Sequence, residues 1–307
     1  MAKSVLSDLR FHNEQAAFDY VEKQLWPNGP VCPHCQATGD KIGRLNGKTT
    51  RPGLRKCYAC RKPFTVRIGS IFEDSHLPLR LWLQAIHLLC SSKKGISTRQ
   101  LQRTLGCGMK TAWHLGHRIR FAMAPGGDAG PLGGSGKIVE ADETALTTSR
   151  KTKRKPGQFR RKPHAIVLSL VERGGNTRSV TLDHRGVARH LRQNVHKDST
   201  LVTDKARYYI HPPVAAHESV DHSKFEWARG DVHVNTLEGF FSVVKRGLVG
   251  VYQHVDKKHL DRYLAEFDFR QNTRVKLGIN DVQRADIALQ GFAGKRLTYE
   301  TTDRAQA

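Results

Sequence analysis

Long apolar segments are absent from this sequence. No run of apolar residues approaches the ~20 that a membrane-spanning helix requires. The N-terminus also lacks the apolar core of a secretory signal peptide, as its first residues, MAKSVLSDLRFHNEQ, show. These two absences exclude a membrane-embedded protein and predict a soluble protein of the cytoplasm.

Acidic residues are scarce compared with basic ones. The 307 residues include 28 Asp and Glu but 51 Lys and Arg, so the formal net charge at pH 7 is +23. Lys and Arg side chains favour polyanions, because each contact with a phosphate releases condensed counterions. The charge therefore predicts that the chain acts on nucleic acid.

Cysteine is also scarce, and its arrangement argues against a disulfide framework. Four of the six cysteines form two Cys-x-x-Cys pairs, Cys32 with Cys35 and Cys57 with Cys60, separated by residues 36–56. Two such pairs on tight turns can bring four thiolates to one tetrahedral zinc ion, whereas a redox dithiol needs only one pair. Because the segment has few large apolar residues, the sequence predicts a structural zinc that stabilises a zinc ribbon.

Changes in composition divide the chain into segments. Residues 125–137 are rich in Gly and Pro and too poor in apolar residues to pack, so they are predicted to be a linker. The predicted segments are an N-terminal helix (1–30), the zinc ribbon (31–68), a helical DNA-binding region (78–124), the linker (125–137), a catalytic domain (138–275) and a polar C-terminal tail (276–307).

Two short helices with a Gly turn are predicted within residues 95–121. The first ends at Gly106, and this arrangement is typical of a DNA-binding helix-turn-helix. The second helix is expected to expose the basic and polar side chains of Lys110, Thr111, His114, His117, Arg118 and Arg120 to DNA. The alternative is a helical hairpin whose basic face is merely solvated, and the sequence leaves both interpretations open.

Strand patterns follow the linker, at 137–144, 164–171, 178–183 and 200–204, with a helix pattern at 187–195. Helical patterns return from residue 235, and a long one covers 257–274. This succession predicts an α/β domain in which helices cover a sheet. A strongly basic run at 149–162 is predicted to be a mobile loop.

The segment 233–247 has two stripes at helical spacing. One is apolar and consists of Leu237, Phe241, Val244 and Leu248, and the other is polar and consists of Asn235, Glu238, Ser242 and Lys245. A carboxylate and an ammonium group on one rigid face suit metal-assisted phosphoryl chemistry. Asn235 and Glu238 also have the spacing of a capping box, in which Glu238 would only satisfy backbone donors.

Three acidic residues stand at the ends of predicted elements. Asp142 lies in the first strand, Asp204 ends the fourth and Glu238 begins the helix. Such a trio can hold two divalent ions for phosphodiester chemistry, and magnesium or manganese suits oxygen ligands. A single Asp at a strand end is commonly a turn former, and Asp183 also ends a strand, so spacing alone does not single out Asp204.

Several motifs in order carry a family resemblance. They are segments 26–29 (WPNG), 31–35 (VCPHC), 139–144 (VEADET), 202–204 (VTD), 229–247 and 267–272 (FDFRQN). With these the chain resembles bacterial insertion-sequence transposases that have an N-terminal zinc ribbon and a DDE catalytic domain. The resemblance implies an α/β domain with an RNase H-like mixed sheet and flanking helices.

The resemblance also implies roles for individual residues. Asp142, Asp204 and Glu238 would be the catalytic, magnesium-binding carboxylates, with Asn235 as a rival or accessory third ligand. Lys245, with Arg246 beside it, is expected to bind DNA near the scissile phosphate. Residues 145–148 depart from the family, in which an aromatic residue and glycines often follow the first Asp.

The function predicted from the sequence is that of a DNA transposase, associated with the nucleoid. It would bind the terminal inverted repeats of its element in double-stranded DNA, cleave a strand and join the freed 3′-hydroxyl to target DNA. A homo-oligomer is expected on DNA, since two ends must be joined. The alternatives are an inactive, transposase-derived DNA-binding protein and a nuclease acting on RNA–DNA hybrids.

Overall fold

The computed structural model describes residues 4–126, 129–146, 165–182, 186–206, 209 and 211–297. By their internal contacts the residues divide into two compact units, Met1–Met123 with Gly278–Ala307 and Ala124–Leu277. No helix in these described ranges is long and apolar enough to cross a membrane. The predicted basic loop at 149–162 and Asp183 lie outside the described residues.

The helices are α1 (Glu14–Leu25), α2 (Leu79–Ser91), α3 (Thr98–Leu105), α4 (Met109–Met123), α5 (Gly186–Asn194), α6 (Asn235–Gly247), α7 (Leu260–Asn272) and α8 (Asp281–Gln290). The strands are β1 (Ile42–Arg44), β2 (Arg55–Cys57), β3 (Pro63–Phe64), β4 (Ile138–Leu146), β5 (Ala165–Glu172), β6 (Thr177–Thr181), β7 (Thr200–Asp204) and β8 (Ala216–Val220).

In the first unit, α1 is shorter than the predicted N-terminal helix segment (1–30) and begins only at Glu14. Asn13 caps it by accepting a hydrogen bond from the backbone N–H of Ala16 (3.0 Å), and such a cap defines a helix start. The antiparallel sheet β1–β2–β3 follows. Arg55 on β2 forms an ion pair with Glu22 on α1 (2.6 Å), and this contact attaches the small sheet to the helix.

The C-terminal segment, expected to be a polar tail, instead contains a helix that returns to the first unit. Asn280 and Gln283 form a capping box at the start of α8. Arg284 donates a hydrogen bond to the carbonyl of Cys90 in α2 (2.9 Å). After the helix, Phe292 is fully buried against Phe72. The sequence did not predict this helix because only a few of its residues face the core and its composition is therefore polar.

The second unit is built on a five-stranded mixed sheet in the order β6-β5-β4-β7-β8. The central strand β4 is antiparallel to β5 and parallel to β7, and β7 is parallel to β8. With helices packed on it, this is the RNase H-like arrangement expected of the catalytic domain. The four predicted strands are present, whereas β8 was missed because its alternating sequence, AHESV, belongs to a short and partly exposed edge strand.

Helix α7 covers the opposite edge of the sheet. Three of its side chains accept hydrogen bonds from alternate backbone N–H groups of β6, namely Asp261 from Thr181 (3.1 Å), Asp268 from Ser179 (2.7 Å) and Asn272 from Thr177 (2.6 Å). An edge strand with free N–H groups is a template for unwanted strand pairing. The segment 267–272 therefore has a structural role, since it closes this edge.

Candidate active site and zinc centre

The four predicted zinc ligands meet in the first unit. Their sulfur atoms all lie within 4.8 Å of one another. Cys32 and Cys60 are 3.7 Å apart, and Cys35 and Cys57 are 3.6 Å apart. Zinc–sulfur bonds of about 2.3 Å in a tetrahedron require sulfur separations of about 3.8 Å. The donor set and its spacing therefore fit one zinc ion, as the sequence predicts.

The two Cys-x-x-Cys turns have the same local geometry. Gln36 and Arg61, each directly after the second cysteine of its pair, have φ of 61° and 63°. A hydrogen bond from the backbone N–H of Cys60 lowers the pKa of the Cys57 thiol to about 7. Backbone donors of this kind favour the thiolate, which is the form that binds metal. Trp26 packs edge-on against Phe64 beside the cysteines, so the centre has a small apolar support.

Asp142 and Asp204 lie side by side in the second unit. The strands β4 and β7 run parallel, and their register pairs Ala141 with Thr203. The next residue on each strand is Asp142 and Asp204. The side chain of Asp204 also accepts a hydrogen bond from the N–H of Ala206 (3.2 Å), which orders the chain where it leaves β7. The register therefore makes these two residues, which are 62 positions apart in the sequence, neighbours in the sheet.

Electrostatic coupling connects Glu238 to this pair. Burial and, after it, the negative charges of Asp204, Glu143 and Glu238 together raise the pKa of Asp142 to about 7. The carboxylates therefore repel one another, which a divalent cation would relieve. Among the described residues, however, only the four cysteines form a group of three or more potential ligands as compact as one ion requires. A divalent ion suits these residues because their carboxylates offer oxygen donors and repel one another without a cation.

The polar stripe of α6 is exposed, and the apolar stripe is buried. Leu237, Phe241 and Val244 are at most 5% exposed and pack against β5 and α7, whereas the polar residues Asn235, Glu238, Ser242 and Lys245 face solvent. The capping-box interpretation is wrong. Helix α6 has Val234 at its N-cap and no side-chain cap, so the side chain of Glu238 is not used for that purpose.

Two segments of the chain match known protein families. Residues 12–63 match a transposase zinc-ribbon domain, and residues 131–272 match an ISXO2-like transposase domain. The chain is thus similar to transposases over both segments. It is also 26% identical to an uncharacterized protein in transposable element ISH50 of Halobacterium salinarum, over 87% of this chain and 94% of that protein. The transposase-domain match contains Asp142, Asp204 and Glu238.

Within the matched transposase-domain segment, Glu140 is a site-forming residue that the sequence patterns did not single out. Its fully buried carboxylate accepts hydrogen bonds from Arg173 (2.9 Å) and from both the backbone N–H (3.1 Å) and the hydroxyl of Thr236 (2.9 Å). Arg173 also donates to the carbonyl of His233 (3.0 Å). Glu140 thus provides the missing cap of α6 and attaches the helix bearing Glu238 to the strand bearing Asp142.

The predicted basic residues of α6 are exposed and close to the polar stripe. Lys245 extends over the ring of Phe241 (5.9 Å), and Arg246 donates to the carbonyl of Ser242 (3.0 Å). Both side chains lie in the last turn of the helix, where positive charge is favourable. They are available to bind an anionic ligand beside the carboxylates.

The first unit contains the two predicted helices separated by a Gly turn, whereas the predicted exposure of the second helix is partly wrong. Gly106, in the left-handed conformation at φ 64°, separates α3 from α4. Lys110 and Thr111 are exposed, and His114 is half-buried. The expectation that the basic residues His117, Arg118 and Arg120 are exposed is wrong, since they are 1%, 6% and 2% exposed.

Arg118 is internal because residues outside α4 cover its side chain. Arg118 donates a hydrogen bond to the carbonyl of Glu73 and lies over the ring of Trp82 (5.6 Å). A basic residue whose charge is met by carbonyls and an aromatic face can be internal. Arg118 is therefore a structural residue, and only the first turns of α4 offer a free polar surface.

Proposed function

We propose that this chain is a DNA transposase, which cleaves DNA at the ends of its own element and joins the freed 3′-hydroxyl to a target. The observation that supports the proposal is the parallel register of β4 and β7, which pairs Ala141 with Thr203 and so makes Asp142 and Asp204 neighbours. Burial, together with the negative charges of Asp204, Glu143 and Glu238, raises the pKa of Asp142 to about 7, so Glu238 on α6 acts on the same carboxyl group.

The carboxylates are proposed to hold magnesium or manganese at the scissile phosphate. Bound there, divalent cations would activate the attacking oxygen and stabilise charge on the leaving oxygen. Asp142 and Asp204 are the main ligands, and Glu238 is the third, with Asn235 as an accessory one turn earlier on the same exposed stripe. Lys245 and Arg246 bind the DNA backbone next to the cut.

DNA recognition is proposed to begin at α4. Lys110 and Thr111 lie in its exposed first turn, and His114 lies one turn further on. The first residues of a recognition helix are those that reach base edges in the major groove. The net charge of +23 supplies phosphate contacts. Because each reaction joins two ends, the active form on DNA is proposed to be a homo-oligomer.

The experiment that tests the function compares binding with cleavage on labelled DNA ends of the element. Asp142→Ala should abolish strand cleavage in magnesium and leave end binding unchanged. Asp198→Ala is the matched control, because this exposed carboxylate precedes β7 at the other end of the strand from Asp204. The control should cleave as the unsubstituted chain does.

Other outcomes of the same experiment identify the alternatives. Binding of the ends by the unsubstituted chain without cleavage, in either magnesium or manganese, would identify an inactive DNA-binding protein. Cleavage confined to RNA–DNA hybrids would identify a nuclease of RNase H type. Loss of both binding and cleavage in Asp142→Ala would contradict the separation of recognition from chemistry proposed here.

A further inference from the structure

The loop after β8 displays two aromatic rings to solvent. Phe225 is 81% exposed and Trp227 is 56% exposed. Large side chains so exposed are uncommon on a soluble protein and mark interaction sites when they occur together. Phe225 also has a φ of 59°, in a region that a bulky residue adopts only at an energetic cost.

The loop is ordered by its own polar contacts rather than by burial of the rings. Asp221 accepts hydrogen bonds from the N–H of Ser223 (3.1 Å) and from its hydroxyl (2.5 Å), and its own N–H donates to Glu226 (3.1 Å). Arg229 forms an ion pair with Glu226 (3.5 Å). The ring of Trp227 rests on that of His222 at 4.8 Å. The rings are thus held outward on a defined frame.

The loop begins at the C-terminal end of β8, beside the end of β7 that carries Asp204. Val220, the last residue of β8, pairs with Asp204. Lys205, directly after Asp204, forms an ion pair with Asp221 (3.3 Å). Because neighbouring strands are about 4.8 Å apart, the loop begins about two strand spacings from Asp142 in the order β4-β7-β8.

Cations stand beside the rings among residues of both charges. Lys224 lies beside Phe225 and is exposed, and Lys205 and Arg229, at the two ends of the loop, pair with Asp221 and Glu226. Aromatic rings interleaved with cations are the combination that binds unpaired nucleotides, since rings stack on bases while cations contact phosphates. A protein partner would also need apolar surface around the rings, and the neighbouring residues are charged or small.

We propose that Phe225 and Trp227 form a stacking site for unpaired bases of the DNA strand whose phosphate lies at Asp142 and Asp204. This proposal rests on the proposed transposase function and adds how the DNA end is held. Stacking would keep one or two bases next to the cut out of the duplex. The strand end would thereby stay over the carboxylates between cleavage and joining.

Binding by the full chain tests the site directly. The probes are a fluorescein-labelled 20-nucleotide oligo(dT) and a labelled 20-base-pair duplex of mixed sequence, followed by anisotropy without added magnesium. The double variant Phe225→Ala with Trp227→Ala should lose roughly 5- to 100-fold in affinity for oligo(dT) and about twofold or less for the duplex. The variant Phe225→Tyr with Trp227→Phe should retain single-strand affinity, because it keeps both rings.

Lys224→Ala is the matched control within the same loop. It should weaken the binding of both probes. It should also reduce the slope of log affinity against log salt concentration by about 0.7 to 0.9, as the loss of one phosphate contact does. The aromatic double variant should leave that slope unchanged. Equal affinity of the double variant and the unsubstituted chain for oligo(dT), or an equal loss on both probes, would overturn the proposal. So would a fall in oligomer size by light scattering, which would identify a protein interface.

Cleavage separates failure of this proposal from failure of the function. Element ends with mismatched base pairs at the cut should be cleaved faster than paired ends by the unsubstituted chain, and the double alanine variant should lose that preference. If the unsubstituted chain binds oligo(dT) through the rings but cleaves no end, the transposase function fails and the stacking site stands. If the unsubstituted chain cleaves paired and mismatched ends and the double alanine variant still prefers the mismatched ends to the same degree, the stacking site fails and the function stands.

Discussion

Glu140 accepts a hydrogen bond from the backbone N–H of Thr236 at 3.1 Å, and this contact joins the central strand of the catalytic sheet to the start of α6. Asp142 lies two residues after Glu140, and Glu238 lies two residues after Thr236. Side chains two apart on a strand share one face. The contact therefore determines how far the third carboxylate stands from the first.

Removal of the charge at Glu140 should disturb both stability and catalysis. In Glu140→Gln, Arg173 loses its buried charged partner, and the free energy of unfolding should fall by about 1.5–3 kcal/mol, the range for hydrogen bonds to charged groups. Cleavage should slow while affinity for DNA ends stays constant, because the residue positions Glu238 without touching DNA. Lys137→Ala, which removes an exposed pair with Glu172, is the control and should cost at most about 1 kcal/mol. An unchanged cleavage rate in Glu140→Gln would refute the positioning role.

Glu238 and Asn235 can be separated by substitution, since neither side chain is used as a cap. Glu238→Ala should reduce cleavage by at least 100-fold, because it removes an ionised ligand from the metal site. Asn235→Ala should reduce it by about 10-fold or less, as expected of an accessory ligand. Ser242→Ala, on the same exposed stripe, is the control. Should only the Asn235 variant lose cleavage, the third ligand would be Asn235.

Zinc content should depend on four cysteines and not on the others. Cys57→Ser should reduce the zinc content measured by mass spectrometry from one ion per chain to none. Because structural zinc contributes about 10–16 kcal/mol to the folding of such small domains, the ribbon should become sensitive to proteolysis. Cys107→Ser, in the turn before α4, should retain the ion and resist proteolysis. A full zinc complement in Cys57→Ser would contradict the assignment.

Lys110 and Arg118 of α4 should respond differently to substitution. Lys110→Ala should weaken binding of DNA ends and lower the salt slope by about 1, because an exposed phosphate or base contact is lost. Arg118→Met should leave the slope unchanged but lower the melting temperature, since the guanidinium group is internal and lies over Trp82. The measurements are anisotropy titrations at several salt concentrations and thermal unfolding. If Arg118→Met lowered the salt slope and Lys110→Ala did not, Arg118 would belong to the DNA-binding surface.

The stability of the folded chain should decrease as pH rises, because of Asp268. Burial raises the pKa of this carboxyl to about 7, although hydrogen bonds from Ser179 oppose the shift. The folded state thus favours the protonated form, so stability falls as pH rises from about 4 to about 7 and is constant above that. Asp268→Asn keeps a neutral acceptor for the N–H of Ser179. Its melting temperature relative to the unsubstituted chain should therefore rise between pH 5 and pH 8, and a constant difference would argue against the shift.

The sequence predicted the elements of this fold where a local pattern was strong. The stripes of α6 repeat at helical spacing, and the four predicted strands are short segments that contain β-branched and other apolar residues. The helix α8 and the strand β8 were missed because each has a polar composition and is stabilised by residues distant in the chain. Arg118 was misplaced for the same reason, since its burial depends on Glu73 and Trp82, which lie more than 30 positions earlier.

What the sequence alone determined is the chemistry that depends on near neighbours. The zinc ligands follow from two short Cys-x-x-Cys turns, and the exposed face of α6 follows from the helical repeat. Only the tertiary structure decided that Asp142 and Asp204 lie on neighbouring strands, that Glu140 attaches α6 to β4, and that the loop carrying Phe225 and Trp227 begins beside Asp204. These relationships depend on the register of parallel strands and on helix docking, which contacts between distant residues determine.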